Sequence, residues 1–278
     1  MNIIFMGTPE FSLPTLHKLY ESDHDVLSVV TQPDRPKGRG RESTPSPVKQ
    51  FALDKKIPIL QPIKCTKLEI VKTLGALNAD VFIIVAFGQI LDKNLLALPH
   101  HFCINLHSSL LPKYRGAAPI NWAIINGETE TGVTTMKMNA GLDTGDILLS
   151  RKVPIRNKDD AQSLHDILAH QGSSLVLETL CQLDSGSLDA TAQNSDLSSY
   201  APKLTKDDGL IKWNQPAVKI HNLVRGLTPW PGAFSFLGSK RFKICKTETK
   251  ICGLPNQPGV ILRISGHGIE VGTQKERI

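Results

Sequence analysis

The run DVFIIVAFG, Asp80–Gly88, decides the fold class of this chain. A short, continuously apolar run that ends at a glycine is typical of a strand buried on both faces. The preceding stretch TKLEIVKTLGALNA, Thr66–Ala79, has the apolar spacing of an amphipathic helix, and FCINLHSS, Phe102–Ser109, predicts a further strand. Buried strands that alternate with helices indicate an open α/β sheet, mostly parallel.

The same alternation extends back to the N-terminus. NIIFMG, Asn2–Gly7, and DVLSVVTQ, Asp25–Gln32, read as strands on either side of a helical stripe over Pro9–Ser22. IPILQP, Ile57–Pro62, predicts another short strand. The sheet is therefore Rossmann-like, but the first turn, GTPEFS, lacks the later glycines of the dinucleotide fingerprint. We expect no dinucleotide cofactor.

The second half of the chain changes character twice. Residues 131–155 predict two strands joined by a Gly- and Asp-rich loop, and residues 161–183 predict a long helix with one interruption. Residues 184–205 are rich in Ser and Asp, which is typical of a linker, and short strands with turn signals follow. We predict an α/β domain over residues 1–183, a linker over 184–205, and a small β-barrel over 206–278.

The net charge of +6 lies entirely in the last quarter of the chain. Residues 206–278 hold 12 Lys and Arg against 5 Asp and Glu, whereas residues 1–205 hold 20 against 21. A basic surface of this kind indicates a polyanionic partner such as a nucleic acid, although solvated lysines would give the same count.

Composition also argues against several classes of protein. The five cysteines are scattered with no CxxC pair, which predicts reduced thiols and no metal site. The N-terminus runs directly into an apolar strand without a basic leader, and the apolar runs are too short to span a bilayer. We expect a cytoplasmic protein without a membrane segment.

Asn105 and His107 stand two residues apart in INLHSS, so that both side chains leave the same face of the predicted strand. Asp143, flanked by Gly141 and Gly145, supplies a carboxylate on a tight loop that could orient the imidazole. No reactive Ser or Cys belongs to this group. The trio suits a reaction whose nucleophile is part of the substrate, such as acyl transfer to an amine, with the amide donating to a developing oxyanion.

The stretch TQPDRPKGRGRESTPSPVK, Thr31–Lys49, follows a predicted strand, and within it Arg35, Lys37, Arg39 and Arg41 alternate with prolines and glycines. This composition disfavours both helix and strand and predicts a mobile, extended loop. A solvated connection is one interpretation, but long loops inside a domain tend to be functional, and these four cations fit a phosphate backbone better.

These motifs together resemble the methionyl-tRNA formyltransferase family, within the folate-dependent formyltransferase superfamily. The resemblance rests on GTPEF, the basic stretch with SPVK, FGQIL, CINLHSSLLPKYRGAAPINWAI, GETETGVTTMKM, GLDTGDIL and WPGAF. It implies transfer of the formyl group of 10-formyltetrahydrofolate to the amino group of initiator methionyl-tRNA, with no metal. It also implies that the C-terminal barrel resembles an oligonucleotide-binding domain.

The resemblance assigns roles to individual positions. Asn105, His107 and Asp143 match the catalytic trio of the superfamily. The folate-contacting positions are Phe87, Gly88, Gln89, Ile90, Leu91, Ser109, Leu110, Leu111, Pro112 and Gly141.

The tRNA contacts are expected in two regions, the basic stretch and the C-terminal domain. Family members usually continue beyond the point where this chain ends in QKERI, so we expect a barrel shortened at its C-terminus, with weaker tRNA binding and lower stability. The tRNA-binding positions are Arg35, Lys37, Arg39, Arg41, Lys206, Arg225, Lys240, Arg241 and Lys243.

Three alternatives remain open at this point: a formyltransferase acting on an amino-sugar nucleotide, a hydrolase of 10-formyltetrahydrofolate, and an RNA-binding module without turnover. The basic stretch argues against the first, since a small substrate needs no long cationic arm. The intact trio argues against the last. We expect a monomer.

Overall fold

The computed structural model describes residues 1–37, 42–250, 257–274 and 278. The helices are α1 (Leu13–Tyr20), α2 (Pro47–Asp54), α3 (Leu68–Gly75), α4 (Lys93–Leu96), α5 (Pro119–Ile125), α6 (Ala161–Asp184) and α7 (Ala217–Gly226). The strands are β1 (Asn2–Gly7), β2 (Asp25–Val30), β3 (Arg35–Lys37), β4 (Glu42–Thr44), β5 (Ile59–Leu60), β6 (Val81–Val85), β7 (Phe102–His107), β8 (Arg115–Gly116), β9 (Glu130–Lys137), β10 (Ile147–Pro154), β11 (Tyr200–Ala201), β12 (Ala233–Leu237), β13 (Lys240–Ile244), β14 (Ile261–Ser265) and β15 (Gly268–Val271).

The chain divides into two units, and neither is a single continuous segment. The first comprises Met1–Arg115, Gly132–Val153 and Asp166–Ser199. The second comprises the remaining segments, Gly116–Thr131, Pro154–His165 and Tyr200–Ile278. The domain limits at residues 183 and 206, which came from composition, stay predictions.

A seven-stranded sheet forms the centre of the first unit, in the order β10-β9-β7-β6-β1-β2-β5. β1 pairs in parallel with β2 and β6, and β6 pairs in parallel with β7, whereas β9 runs antiparallel to β7. All five residues of β6 are buried, as its unbroken apolar run predicts. The predicted Rossmann-like, mostly parallel α/β sheet is confirmed.

Helix α6 runs without a break over 24 residues, so the predicted interruption is wrong. Gly172 lies in the middle of this helix, where it permits close packing. A Cβ atom at this position would lie 2.6 Å from Cδ2 of Leu106 on β7. Tertiary contact therefore overrides the weak helix propensity of glycine.

The basic stretch corrects a second expectation, because it contains a short antiparallel pair of strands. Arg35 of β3 faces Thr44 of β4, and Lys37 faces Glu42. Proline is tolerated in such an isolated pair, where each strand is an edge that need not donate from both sides. Arg39 and Arg41 lie outside the described residues.

Two antiparallel strand pairs characterise the second unit, β12 with β13 and β14 with β15. An isolated bridge joins Leu210 to Phe234 on β12, and Ile211, Ile220, Val224 and Ala233 form a small apolar core. Small C-terminal β-structure was predicted and is confirmed. Closure of these strands into a barrel is not seen within the described residues.

Four cysteines belong to the described residues, and all four are free thiols. Cys65 and Cys103 are buried, and burial raises the pKa of Cys103 to about 12, so this thiol stays protonated. Among the residues described, no His, Cys, Asp and Glu side chains gather into a group that could hold a metal, and no helix has the length and apolar character needed to cross a membrane.

Candidate active site

The site begins at the carboxyl end of β7, in the interior of the sheet. Asn105 and His107 lie on the same face of this strand, and the backbone of Asn105 is flanked by Ile84 of β6 and Met136 of β9. Asn105 is half-buried. Its side chain forms no hydrogen bond with any other described residue, so a rigid strand presents an amide that is free to bind a ligand.

His107 is buried and held from both sides of its ring. Its Nε2 atom lies 2.9 Å from the carbonyl oxygen of Tyr114, and a carbonyl can only accept, so Nε2 carries a proton. Its Nδ1 atom faces Oδ2 of Asp143 at 3.8 Å. The two side chains are only 7% and 15% exposed, which shields this pair from solvent screening. The structure therefore brings the three predicted catalytic residues to one place.

The path of the Asp143 loop is unexpected. Because β9 is antiparallel to β7, the loop leaves β9 beside the start of β7, where the Met138 amide donates to the Cys103 carbonyl over 2.8 Å. His107 lies at the other end of that strand. The loop must fold back along the sheet to bring Asp143 to the imidazole. Gly145 permits the return, since a Cβ there would lie 1.8 Å from the carbonyl oxygen of Lys137.

Strained backbone borders this site. Ala86, Tyr114 and Asp143 all have positive φ angles, of 48°, 61° and 51°, and none is a glycine. Ala86 follows β6, Tyr114 supplies the carbonyl that holds His107, and Asp143 supplies the carboxylate. Residues in this region of conformational space persist where surrounding structure imposes them, and they cluster at functional sites.

The turn after β7 carries four of the predicted folate positions, Ser109–Pro112. Thr134 on β9 fixes it by donating to the Ser109 carbonyl over 2.7 Å and accepting from the Leu111 amide over 3.2 Å. The Ser109 hydroxyl donates to the carbonyl of Lys113 over 2.6 Å and is fully buried. Ser109 thus shapes the turn. Leu110 and Pro112 are its partly exposed side chains.

The segment Phe87–Leu91 leaves β6 at the same edge of the sheet, because β6 and β7 are parallel neighbours. Phe87 and Leu91 are buried and hold this segment against the interior of the protein. Gln89 accepts from the Cys65 amide over 2.8 Å and donates to the Pro62 carbonyl over 2.9 Å. Ile90 is 84% exposed. An exposed apolar side chain and a free amide that follow or end adjacent parallel strands suit a ligand that combines a flat ring with a polar group.

The remaining loop position, Gly141, is exposed and donates its amide to Oδ1 of Asn139 over 2.9 Å. The same oxygen accepts from the Thr144 hydroxyl over 2.9 Å, which braces the tip of the loop. Neither Asn139 nor Thr134 was predicted from the sequence. A short polar residue on a loop or strand has many uses, and no spacing rule separated these two from the rest.

The predicted tRNA-binding cations are placed differently from one another. Arg35, Lys206, Lys240 and Lys243 are exposed, and Arg241 is exposed with its guanidinium 3.7 Å from the centre of the Phe234 ring.

Arg225 differs, because its guanidinium is used within the second unit. It donates to Asn222 over 2.9 Å and to the carbonyls of Arg156 and Asp159 over 3.1 and 3.0 Å. Burial lowers the pKa of this group from its usual value. Its predicted contact with tRNA would compete with these bonds.

Fold and site together define a formyl transferase. The model of the formyl transferase family matches residues 1–180, the model of the formyl transferase C-terminal domain matches residues 203–278, and the chain belongs to this family. Within it, the chain is 53% identical over 272 residues to the methionyl-tRNA formyltransferase of Geobacter sulfurreducens, which covers 98% of this chain and 85% of the relative. The enzyme of that name from Caldanaerobacter subterraneus is 51% identical over 264 residues, covering 95% of this chain and 85% of the relative.

Solved structures share the fold at much lower identity. An N-formyltransferase from Helicobacter canadensis, in complex with folinic acid and dTDP-3-aminofucose, has a TM-score of 0.75 at 19% identity and covers 99% of this chain and 97% of its own. HypX from Aquifex aeolicus, in complex with tetrahydrofolic acid, has a TM-score of 0.67 at 20% identity, covering 99% of this chain and 42% of its own. At this identity the likeness concerns the fold alone.

Proposed function

We propose that this protein transfers the formyl group of 10-formyltetrahydrofolate to the amino group of initiator methionyl-tRNA. The observation that carries the proposal is the free amide of Asn105 on the same strand end as an imidazole held against a carboxylate. Relatives that bear the name of this activity, at about half identity over nearly the whole chain, support it.

Asn105 has the role of oxyanion donor. The formyl oxygen gains negative charge when the amine attacks the formyl carbon, and the amide N–H group of Asn105 donates to that oxygen. The strand fixes the backbone from which the amide projects, which limits the reorganisation needed as the charge develops. One donor of this type contributes about 3–4 kcal/mol to stabilising a transition state.

His107 and Asp143 act as a pair. The Nε2 atom is hydrogen-bonded to the carbonyl of Tyr114. A proton can therefore be gained or lost at Nδ1, which faces the carboxylate. A positively charged ring beside the reacting centre would stabilise negative charge there, and Asp143 would stabilise that charged ring. The nucleophile is the substrate amine. Its nitrogen would form the new bond to the formyl carbon while the bond between that carbon and N10 of the donor breaks, and the proton lost by the amine would pass to N10, so that tetrahydrofolate leaves and no covalent link to the protein is required.

The formyl donor would lie across the segments Phe87–Leu91 and Ser109–Pro112, which leave adjacent parallel strands. Bound there, it supplies the activated formyl group. Exposed Ile90 offers an apolar surface for its ring, and the fixed turn after β7 limits where that ring can lie.

Exposed cations would bind the phosphate backbone of the tRNA. In the second unit these are Lys206, Lys240, Arg241 and Lys243, and in the first unit Arg35 is exposed on β3. Contacts to phosphates position a nucleic acid without reading its sequence. A tRNA substrate places the protein in the cytoplasm, and we infer that it acts as a monomer.

A panel of acceptors tests the proposal. The protein is incubated with 10-formyltetrahydrofolate and, separately, with initiator methionyl-tRNA, a dTDP-amino sugar, or buffer alone. We expect N-formylmethionyl-tRNA to form at least about 100-fold faster than formylated sugar or free formate, because the several exposed cations suit a long phosphate backbone rather than a single diphosphate or water. Comparable rates with the sugar would instead indicate a sugar formyltransferase. Formate release that is unaffected by tRNA would indicate a hydrolase, and no turnover would leave only an RNA-binding role.

A further inference from the structure

We infer that Gln193 is a positioning residue for the His107–Asp143 pair. This inference rests on the proposed function. Gln193 lies in the Ser- and Asp-rich segment 184–205, which the sequence presents as a linker. In the structure this side chain makes four hydrogen bonds, more than a residue that only connects two domains would need.

The bonds of Gln193 connect two sides of the site. Its Nε2 atom donates to the carbonyls of Asp143 over 2.9 Å and Gly145 over 2.7 Å. Its Oε1 atom accepts from Nε of Arg115 over 3.1 Å and from Nη2 over 2.8 Å. Both amide protons and the amide oxygen are thereby used. A carboxylate could accept from Arg115 but could not donate to the two carbonyls, and an apolar side chain could do neither. Neither can therefore replace the amide.

The Asp143 loop needs such a restraint. The loop leaves β9 beside the start of β7, whereas His107 lies at the other end of that strand, so the loop must fold back. Gly141 and Leu142 are exposed at its tip, and Asp143 has a strained backbone conformation. Gln193 binds the main chain on both sides of residue 144, at the point where the loop delivers the carboxylate. Fixing these two carbonyls fixes the distance between Asp143 and the imidazole.

The same segment also holds the other partner of His107. Ser199 accepts from the Tyr114 amide with its hydroxyl over 2.9 Å and from the Arg115 amide with its carbonyl over 2.8 Å. Thr191 and Ile147 exchange two backbone hydrogen bonds of 2.8 Å. Residues 191–199 therefore brace both groups that face the imidazole ring, and Gln193 is the side chain that reaches the carboxylate loop.

Gln193→Glu is the sharpest variant. Glutamate keeps the acceptors for Arg115 but cannot donate to the two carbonyls, so the loop loses its restraint while the arginine keeps its partner. We expect kcat to fall roughly 10- to 100-fold, since misplacement of about 1 Å costs a catalytic group that much, with KM for methionyl-tRNA changed less than threefold. Gln182→Glu, the same chemical change on α6, is the matched control and should keep wild-type kcat.

A double-mutant cycle separates positioning from a general loss of structure. Gln193→Glu is combined with Asp143→Asn in the full chain, and kcat, its pH profile and the melting temperature are measured. If Gln193 acts through Asp143, it should lower kcat less than threefold in the Asp143→Asn background and shift the pH profile in the wild-type background. Additive losses, or a loss of kcat that follows the melting temperature, would overturn the inference. Gln193→Ala takes its place in the cycle if Gln193→Glu fails to fold.

A readout that needs no turnover separates this inference from the proposed function. The ring nitrogens of His107 are followed by NMR while the wild-type protein and Gln193→Glu are titrated with acid. A displaced titration in the variant supports the positioning role even if methionyl-tRNA proves not to be the acceptor. Superimposable titrations would refute that role even if the wild-type protein formylates methionyl-tRNA.

Discussion

Replacement of Asn105 by alanine is expected to lower kcat/KM for formyl transfer about 100- to 1000-fold, the usual cost of removing one oxyanion donor. The melting temperature should stay close to that of the wild-type protein. The Asn105 side chain is half-buried and makes no hydrogen bond to the other described residues, and the backbone pairing of β7 with β6 and β9 does not depend on it.

Two further variants show whether the effect of Asn105→Ala comes from the loss of the hydrogen-bond donor. Asn105→Asp keeps the size of the side chain but replaces the donor with a carboxylate, so kcat/KM should fall at least as far as in Asn105→Ala. Asn94→Ala, on the exposed surface of α4, is the matched control and should leave the rate unchanged. If Asn105→Ala retained kcat/KM within threefold of wild type, the amide would have no role in the transition state.

The second large effect is expected at Asp143. Asp143→Asn should lower kcat about 100-fold, because it removes the negative charge that faces Nδ1 of His107 at 3.8 Å. Asparagine tolerates the left-handed backbone that this position requires, with φ of 51°, so the loop should keep its path. The variant thus tests the charge alone.

The pH dependence of kcat provides the most sensitive reading of Asp143→Asn. On the proposed mechanism the carboxylate acts through the imidazole that it faces at 3.8 Å, so its loss should change the pH profile of kcat as well as lower its maximum. Asp189→Asn, an exposed position in the segment after α6, provides the control. A variant with wild-type kcat and an unchanged profile would show that Asp143 does not act on His107.

Local sequence pattern was sufficient to predict the sheet. The unbroken apolar run of β6 reflects burial on both faces, and the two-residue spacing of Asn105 and His107 reflects the alternation of a strand. Both properties depend on residues that are close in sequence. The glycines around Asp143 pointed to its carboxylate, 36 residues beyond His107, and the family resemblance then assigned it to the catalytic trio.

Long-range contacts explain what the sequence did not predict. The prolines and glycines around Arg35 indicated a loop, but pairing between β3 and β4 outweighs that local preference. The carbonyl that holds His107 belongs to the main chain of Tyr114, and a main-chain group has no sequence signature. The role of Gln193 depends on a loop that folds back over the sheet, which only the three-dimensional path reveals.

The central claim is that Asn105, His107 and Asp143 form a complete site without a nucleophile, in which the tRNA supplies the attacking amine. A single-turnover experiment with radiolabelled formyl donor, protein in molar excess and initiator methionyl-tRNA tests this most directly. We expect the label to pass straight to methionyl-tRNA, with no protein-bound label at any quench time. Label that appears first on the protein, or that is released as formate at a rate unaffected by the tRNA, would contradict the account.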